Sequence, residues 1–600
     1  MKKELLKRAQ VAWEDTWSVE DMYATETLLL EDADKLENMI MELGVYTEEY
    51  INESAAHLLE YYKLSEKMAL LFDLSYGYAE RNHDVDTANA HYQGISGKIM
   101  AIYHKMGTAM APIDSYIVKM KDEKINRYLQ EEPELAHYKV SINNLRRMKP
   151  HMLSSELEEM LASSLDMGGS VDKVYGLLHN ADFENPSIKD EKGELVKVSS
   201  GRFVPMLESK DATVRKEAFQ AYYARFEQYK NTFASLYEGK TKSNFFYAKA
   251  RKYNSSMEAA VDSNNVPKEV YSNLIEAVNE NMHYMHEYVA LRKKLLGVNE
   301  LHMYDIYVPM VDQEEGEITY AMAQEEIAEA LQVLGEDYIT VLNQGFSQRW
   351  IDKYENEGKR SGAYSAGNYS THPYVLMNYQ YNLDSEFTLA HEMGHALHSY
   401  YSAQDNNVFD SEYTIFVAEV ASTCNEALLM NYLLKHTKDK KKKAYLINYF
   451  LEQFRTTLYR QTMFAEFELL THQMTENGQT LTAEVLKKTY YDLNVTYYGK
   501  DIVVDDEIAI EWARIPHFYY NFYVYQYATS FSASMAISKM ILEEGQPAVQ
   551  RYLTFLKGGC TKSPIELLKD AGVDMTTKKP ISDALQTFGA LIKEMDDLMA

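Results

Sequence analysis

The chain has 600 residues, more than one ordinary hydrophobic core accommodates, so two or more lobes are expected. It carries 61 Lys plus Arg against 90 Asp plus Glu, a formal charge of −29, which argues against nucleic acid and anionic membrane as partners. Its only two cysteines, Cys424 and Cys560, argue against a disulfide framework and fit a reducing compartment.

At the N-terminus Lys2 and Lys3 are followed by Glu4, Lys7, Arg8 and Gln10, where a signal peptide would be apolar. No stretch approaches eighteen apolar residues, so no membrane span is expected and a cytoplasmic protein is. Residues 1 to 200 read as amphipathic helices, with starts at Ser18 and Ser154 and helical spacing through Leu58-Leu59-Glu60-Tyr61-Tyr62. Asp190 to Val198 predicts a small hairpin with a Lys192-Gly193 turn. A division near residue 200 is expected, into an N-terminal helical lobe (1–200) and a second region (201–600). From Asp211 to Gly358 the chain is again helical, with Asp211, Pro267 and Glu325 near successive starts. His283, His286 and His302 lie there and receive no role, and the Lys440–Lys443 run reads as a solvated helix end.

Between Lys359 and Asn382 the texture changes to Gly, Ser, Tyr and alternating apolar residues, and Tyr374 to Tyr379 predicts a strand. An open edge there would accept an extended peptide by main-chain hydrogen bonds, the alternative being a purely structural sheet. The next helix, N-capped by Asp384 or Ser385, carries Phe387, Ala390, Met393 and Leu397 on one side. On another side it carries His391-Glu392-Met393-Gly394-His395. A helix turn of 3.6 residues brings His391 and His395 to one face, where a single tetrahedral zinc accepts both nitrogens and Glu392 reaches a water beside it. Chance supplies such a motif about 0.04 times in a chain of this composition, so the match is suggestive and its context decides. Two histidines around Gly394 are poor helix formers, so the motif has another reason to exist, and the glycine points to a close approach by backbone or substrate.

A helix from Ser411 onward places Glu419, Ser422 and Glu426 as one polar stripe on an otherwise apolar surface. Carboxylates so placed need partners, and Glu419 is the expected third metal ligand. Glu426, two turns on, is expected to accept a hydrogen bond from a ligand histidine, the alternative being a surface glutamate. Cys424 on the same helix reads as inert and buried. His517 to Tyr527 then gathers seven aromatics besides the histidine, five of them phenols, which suit a wetted cleft better than a dry core.

These motifs resemble the thimet-oligopeptidase-like zinc peptidases, most closely the oligoendopeptidase F branch. The resemblance includes Gly362-Ala363-Tyr364-Ser365, Pro373-Tyr374-Val375-Leu376-Met377-Asn378-Tyr379 and Ile515-Pro516-His517-Phe518-Tyr519-Tyr520, and extends from Arg202-Phe203 to the C-terminus. It implies a mainly α, two-lobed zincin-type fold with a deep cleft and a small antiparallel sheet beside the active site. It further implies one Zn²⁺ per chain, Glu392 as general base, and short unstructured peptides as substrates. The strand before the zinc helix would hold substrate. His517, with Tyr527 first and Tyr520 second, would donate to the oxyanion; Tyr520, Tyr523 and Tyr527 are expected on one helical face. A zinc carboxypeptidase is the alternative, with Arg360 and Arg514 flanking the motifs; a non-catalytic peptide-binding protein would not require the full set of Glu392 and three ligands.

Overall fold

The computed structural model describes residues 5–312 and 316–600. Helix of all types accounts for 73% of the described residues, which settles the mainly α class. The helices that position the site and its supports are, in chain order, α1 (Ala55–Asp84), α2 (Ala90–Lys119), α3 (Lys230–Ala250), α4 (Lys268–Glu280), α5 (Leu383–Asp405), α6 (Ile415–His436), α7 (Gln461–Glu476) and α8 (Tyr525–Glu544). The strands are β1 (Ser187–Lys189), β2 (Leu195–Lys197), β3 (Ile351–Asp352), β4 (Tyr364–Ala366) and β5 (Tyr374–Leu376).

The chain divides into two compact units, each assembled from three stretches. One comprises Met1–Pro150, Gly316–Asn431 and Ile537–Gly572; the other comprises His151–Glu315, Tyr432–Ala536 and Val573–Ala600.

In the first unit, α1 and α2 bury Leu58, Tyr61, Ile99 and Ile117 in a core that also takes Tyr374 and Leu376 of β5. The N-terminal helices and the sheet therefore share one apolar interior. The sheet order is β3-β5-β4. Its β4–β5 pair is antiparallel, with Ser365 opposite Val375, while β3 joins β5 in parallel, with Ile351 opposite Val375. Residues 353–373 are long enough to supply the crossover that a parallel pair needs. β3 is pinned by charge: Lys359 and Arg8 both bond the Asp352 carboxylate, at 2.7 and 2.6 Å, and the side chains of Asp352 and Lys359 are fully buried. The strand expected to reach Tyr379 pairs regularly only to Leu376. Beyond it, the Met377 and Tyr379 N–H groups still donate to Asp352 and Lys353.

In the second unit the hairpin forms where the turn residues place it, with Gly193 in the left-handed region at φ 77°. Asp211 and Pro267 sit at the N-caps of the helices they announce. Glu325 instead lies inside a helix that begins at Tyr320, because the Thr319 hydroxyl provides the cap. His286 and His302 hydrogen-bond the Thr496 carbonyl and Asp505, both structural contacts. No helix among the described residues is long and apolar enough to cross a membrane.

Candidate active site

The site in the first unit is built on α5. Its cap is Asn382, whose side-chain oxygen accepts the Ser385 N–H at 2.9 Å, rather than the expected Asp384 or Ser385. Asn382 has the extended backbone a cap requires, and the two later candidates already lie in the first turn. Phe387, Ala390, Met393 and Leu397 are all buried, as their spacing predicts.

Gly394 explains itself by contact. A Cβ at this position would lie 2.5 Å from Ser422 Cα and 2.7 Å from the Ala421 carbonyl oxygen, so α6 crosses directly over it, backbone against backbone. Asn425 ties the crossing, donating to the Ala390 carbonyl at 3.1 Å and accepting from the Tyr338 hydroxyl at 2.9 Å. At this distance Glu419 and Glu426 reach the histidine face of α5.

His391 Nε2 lies 3.2 Å from His395 Nε2 and 3.2 Å from Glu419 Oε2, and His395 Nε2 lies 3.6 Å from the same oxygen. Zinc bonds of about 2.0–2.1 Å at tetrahedral angles give ligand–ligand edges of about 3.3 Å, so the trio fits that ion. His391 Nδ1 donates to Glu426, which leaves the Nε2 lone pair pointing into the triangle. Burial disfavours charge on His391, yet Glu426 and Glu419 hold its imidazolium well above the usual imidazole range. Burial likewise opposes the Glu419 carboxylate, but hydrogen bonds from His391 and His395 hold it well below the usual carboxylate range. The cluster strongly favours positive charge at its centre, and a divalent cation satisfies all three donors at once.

Glu392 is 7% exposed, and its Oε2 has no hydrogen-bond partner among the described residues. Burial raises its carboxyl above the ordinary value, with the two imidazoles opposing. The other trio of metal-ligating side chains, Glu80, His83 and Asp84, is committed elsewhere: Asp84 accepts from Tyr364 and Arg360, and Glu80 from Ser96. β4, an edge strand, adjoins α5, since a Cβ on Gly367 would lie 3.0 Å from Ser399 Cβ. Arg360 pairs with Asp84 and Arg514 with Glu511, so neither flanking arginine is an unengaged carboxylate grip. Burial pushes the Cys424 thiol up to about 12, in keeping with an inert cysteine.

His517, Tyr520 and Tyr527 belong to the second unit. The expected single helical face does not form. A short turn over Pro516–Tyr519 is followed by Asn521 and Phe522 with φ of 52° and 57°, and α8 begins only at Tyr525. Phe518, Tyr519, Phe522 and Tyr525 turn inward. His517, Tyr520, Tyr523 and Tyr527 remain accessible and gather into one cluster, with ring centroids 5.5–6.2 Å apart. Tyr523, which spacing grouped with Tyr520 and Tyr527, touches both of them and His517, although no single helix carries the three.

Residues 205–587 match the family model described as peptidase family M3, and residues 117–184 match that described as oligopeptidase F. Oligopeptidase PepF of Bacillus subtilis is 44% identical over 596 residues, covering 99% of this chain and 89% of that one. The crystal structure of oligoendopeptidase-F from Enterococcus faecium superposes with a TM-score of 0.76 at 35% identity, covering 96% of this chain and 99% of that one. A peptidase-like crystal structure from Chlamydophila abortus superposes with a TM-score of 0.91 at 34% identity, covering 99% of this chain and 100% of that one. The chain belongs to peptidase family M3, as a metallopeptidase of the oligopeptidase F group.

Proposed function

We propose that this protein is a zinc-dependent endopeptidase that hydrolyses internal bonds of short, unstructured peptides, with one Zn²⁺ per chain on His391, His395 and Glu419. The observation that carries this proposal is the triangle of ligand atoms with edges of 3.2, 3.2 and 3.6 Å, three protein ligands rather than the four of a structural site. When bound, zinc supplies Lewis acidity, which acidifies water and polarises a peptide carbonyl. Glu392 takes the proton from the attacking water onto its carboxylate and returns it to the leaving amine nitrogen. Its buried, unpartnered Oε2 suits that task, since burial makes it a stronger base than an exposed glutamate. Glu426 fixes the His391 tautomer.

His517, with Tyr527 first and Tyr520 second, donates hydrogen bonds to the oxyanion. The resemblance supports this assignment, as does the accessibility of the ring cluster. The strand expected to hold the peptide, β5, is paired on both sides, by β3 and β4, and has no open edge; the edge strand β4 receives the extended peptide instead. Residues 201–600 are assigned as the catalytic region, whereas residues 1–200 are divided between the two units, 1–150 in the first and 151–200 in the second, and form no lobe of their own. Two free cysteines suit a cytoplasmic location.

The test is cleavage of an internally quenched peptide blocked at both termini, before chelation, after it, and after zinc is restored. Internal cleavage abolished by chelator and rescued by zinc is expected. Trimming of the free-ended peptide alone would instead identify a carboxypeptidase.

A further inference from the structure

The accessible ring cluster is interrupted in sequence by a bend. Asn521 and Phe522 are consecutive non-glycine residues at φ 52° and 57°, a region that a Cβ disfavours and that a bulky aromatic residue rarely occupies. Such a conformation persists only where its surroundings over-determine it. Here two contacts do so. The Phe522 N–H donates to Glu468 Oε1 at 2.6 Å. The Phe522 ring, buried, packs against His472 and Tyr271 with centroids 4.4 and 5.5 Å away.

Glu468 lies in the middle of α7, fully buried, and its Oε2 has no hydrogen-bond partner among the described residues. The titratable groups around it offer no close counter-charge. Lys240 on α3 is paired with Asp172 at 2.8 Å. Tyr237 on α3 and Tyr271 on α4 are phenols that burial holds well above their usual range. His472, one turn along α7, donates from Nδ1 to the Glu468 carbonyl and accepts at Nε2 from Asn244, and burial lowers it to about 4. Burial raises the Glu468 carboxyl to about 8. A leucine or methionine would fill this inward position of α7 without burying an unpaired carboxyl group, so packing alone does not account for a glutamate.

We infer that Glu468 is a positioning residue for the ring cluster, holding the left-handed bend at Asn521–Phe522 through the Phe522 N–H. The bend separates the cluster into His517 and Tyr520 before it and Tyr523 and Tyr527 after it, so its geometry sets how the two halves meet. This inference rests on the proposal that the cluster donates to the oxyanion. Catalytic donors misplaced by an ångström lose rate, so the effect belongs in kcat and not in metal binding.

The test compares Glu468→Gln, which keeps an acceptor oxygen in nearly the same shape, with Glu468→Met, which keeps volume and loses the acceptor. Both are expected to hold one zinc per chain. Glu468→Met is expected to lose about 10- to 100-fold in kcat with KM within about twofold, and Glu468→Gln to stay within about threefold of the parent. If Glu468→Met does not hold zinc and native circular dichroism, Glu468→Asp, whose carboxylate retreats by one methylene, takes its place with the same expectations. His517→Ala, Tyr520→Phe, Tyr523→Phe and Tyr527→Phe are measured alongside, and the most impaired is combined with the Glu468 variant. If Glu468 acts through the cluster, the double variant is at most about threefold slower than that single one. Parental kcat in Glu468→Met, or a double loss equal to the product of the singles, overturns the inference. Four single variants with undiminished kcat overturn the oxyanion proposal itself, and this inference with it.

Discussion

Glu392 and Glu426 are carboxylates beside the same histidine, and their surroundings give them different work. Glu392 has a buried oxygen with no hydrogen-bond partner among the described residues, whereas Glu426 grips His391 Nδ1. Glu392→Gln is therefore expected to retain one zinc per chain while kcat falls about 10²- to 10⁴-fold, as befits loss of a general base. Turnover at the parental rate would reject that role. Glu426→Ala is expected to weaken zinc about 10- to 100-fold in a metal-buffered titration, with turnover largely restored at saturating zinc. Unchanged affinity would make Glu426 a bystander. These residues were legible in the sequence because the physics that selects them is local: four-residue spacing on α5, and carboxylates on the apolar surface of α6 that need a partner. The Asn382 cap was not, since Asp384 and Ser385 are equally good capping types and only backbone conformation separates them.

At the scale of elements, the crossing of α5 and α6 brings the candidate metal ligands together, and Gly394 makes the crossing possible. Gly394→Ala would set a Cβ 2.5 Å from Ser422 Cα, a backbone atom that cannot swing aside. Overpacking costs about 1–3 kcal/mol, against which alanine regains up to about 1 kcal/mol of helix propensity. The expected outcome is a lowered thermal midpoint together with weaker zinc binding, because Glu419 moves with α6. A variant as stable as the parent with the same zinc affinity would show that the helices do not need this contact. The glycine's purpose was legible as a close approach, but not which backbone approaches. The aromatic segment shows the limit from the other side. Helical periodicity read Tyr520, Tyr523 and Tyr527 as one face, but the left-handed pair Asn521–Phe522 breaks the helix. What holds that pair is Glu468, 54 residues away in sequence. No local pattern reports a contact of that kind.

For the whole molecule, the abundance of helix followed from amphipathic spacing and helix-start signals along the chain. Which helices share a core did not, because each unit draws on three separated stretches and apolar faces do not name their partners. Two buried groups of α7 nevertheless give global stability a predictable dependence on pH. His472 titrates at about 4 when folded and near its ordinary 6.5 when unfolded. Between those values the unfolded chain binds the extra proton, so stability rises with pH. Glu468 titrates at about 8 when folded and near 4.5 when unfolded, so between those values the folded chain binds the extra proton and stability falls with pH. Each slope is about 1.4 kcal/mol per pH unit, so from about 4.5 to 6.5 the two cancel and from about 6.5 to 8 the loss from Glu468 stands alone. Glu468→Gln removes that loss and keeps the gain. Zinc release and every other titration are common to the two proteins, so the difference between their urea midpoints isolates Glu468. That difference is expected to be small near pH 4.5, to grow in favour of Glu468→Gln as pH rises, and to level off above about 8. A difference that stays flat across this range would mean that Glu468 is ionised in the folded protein, with a counter-charge close enough to hold it so.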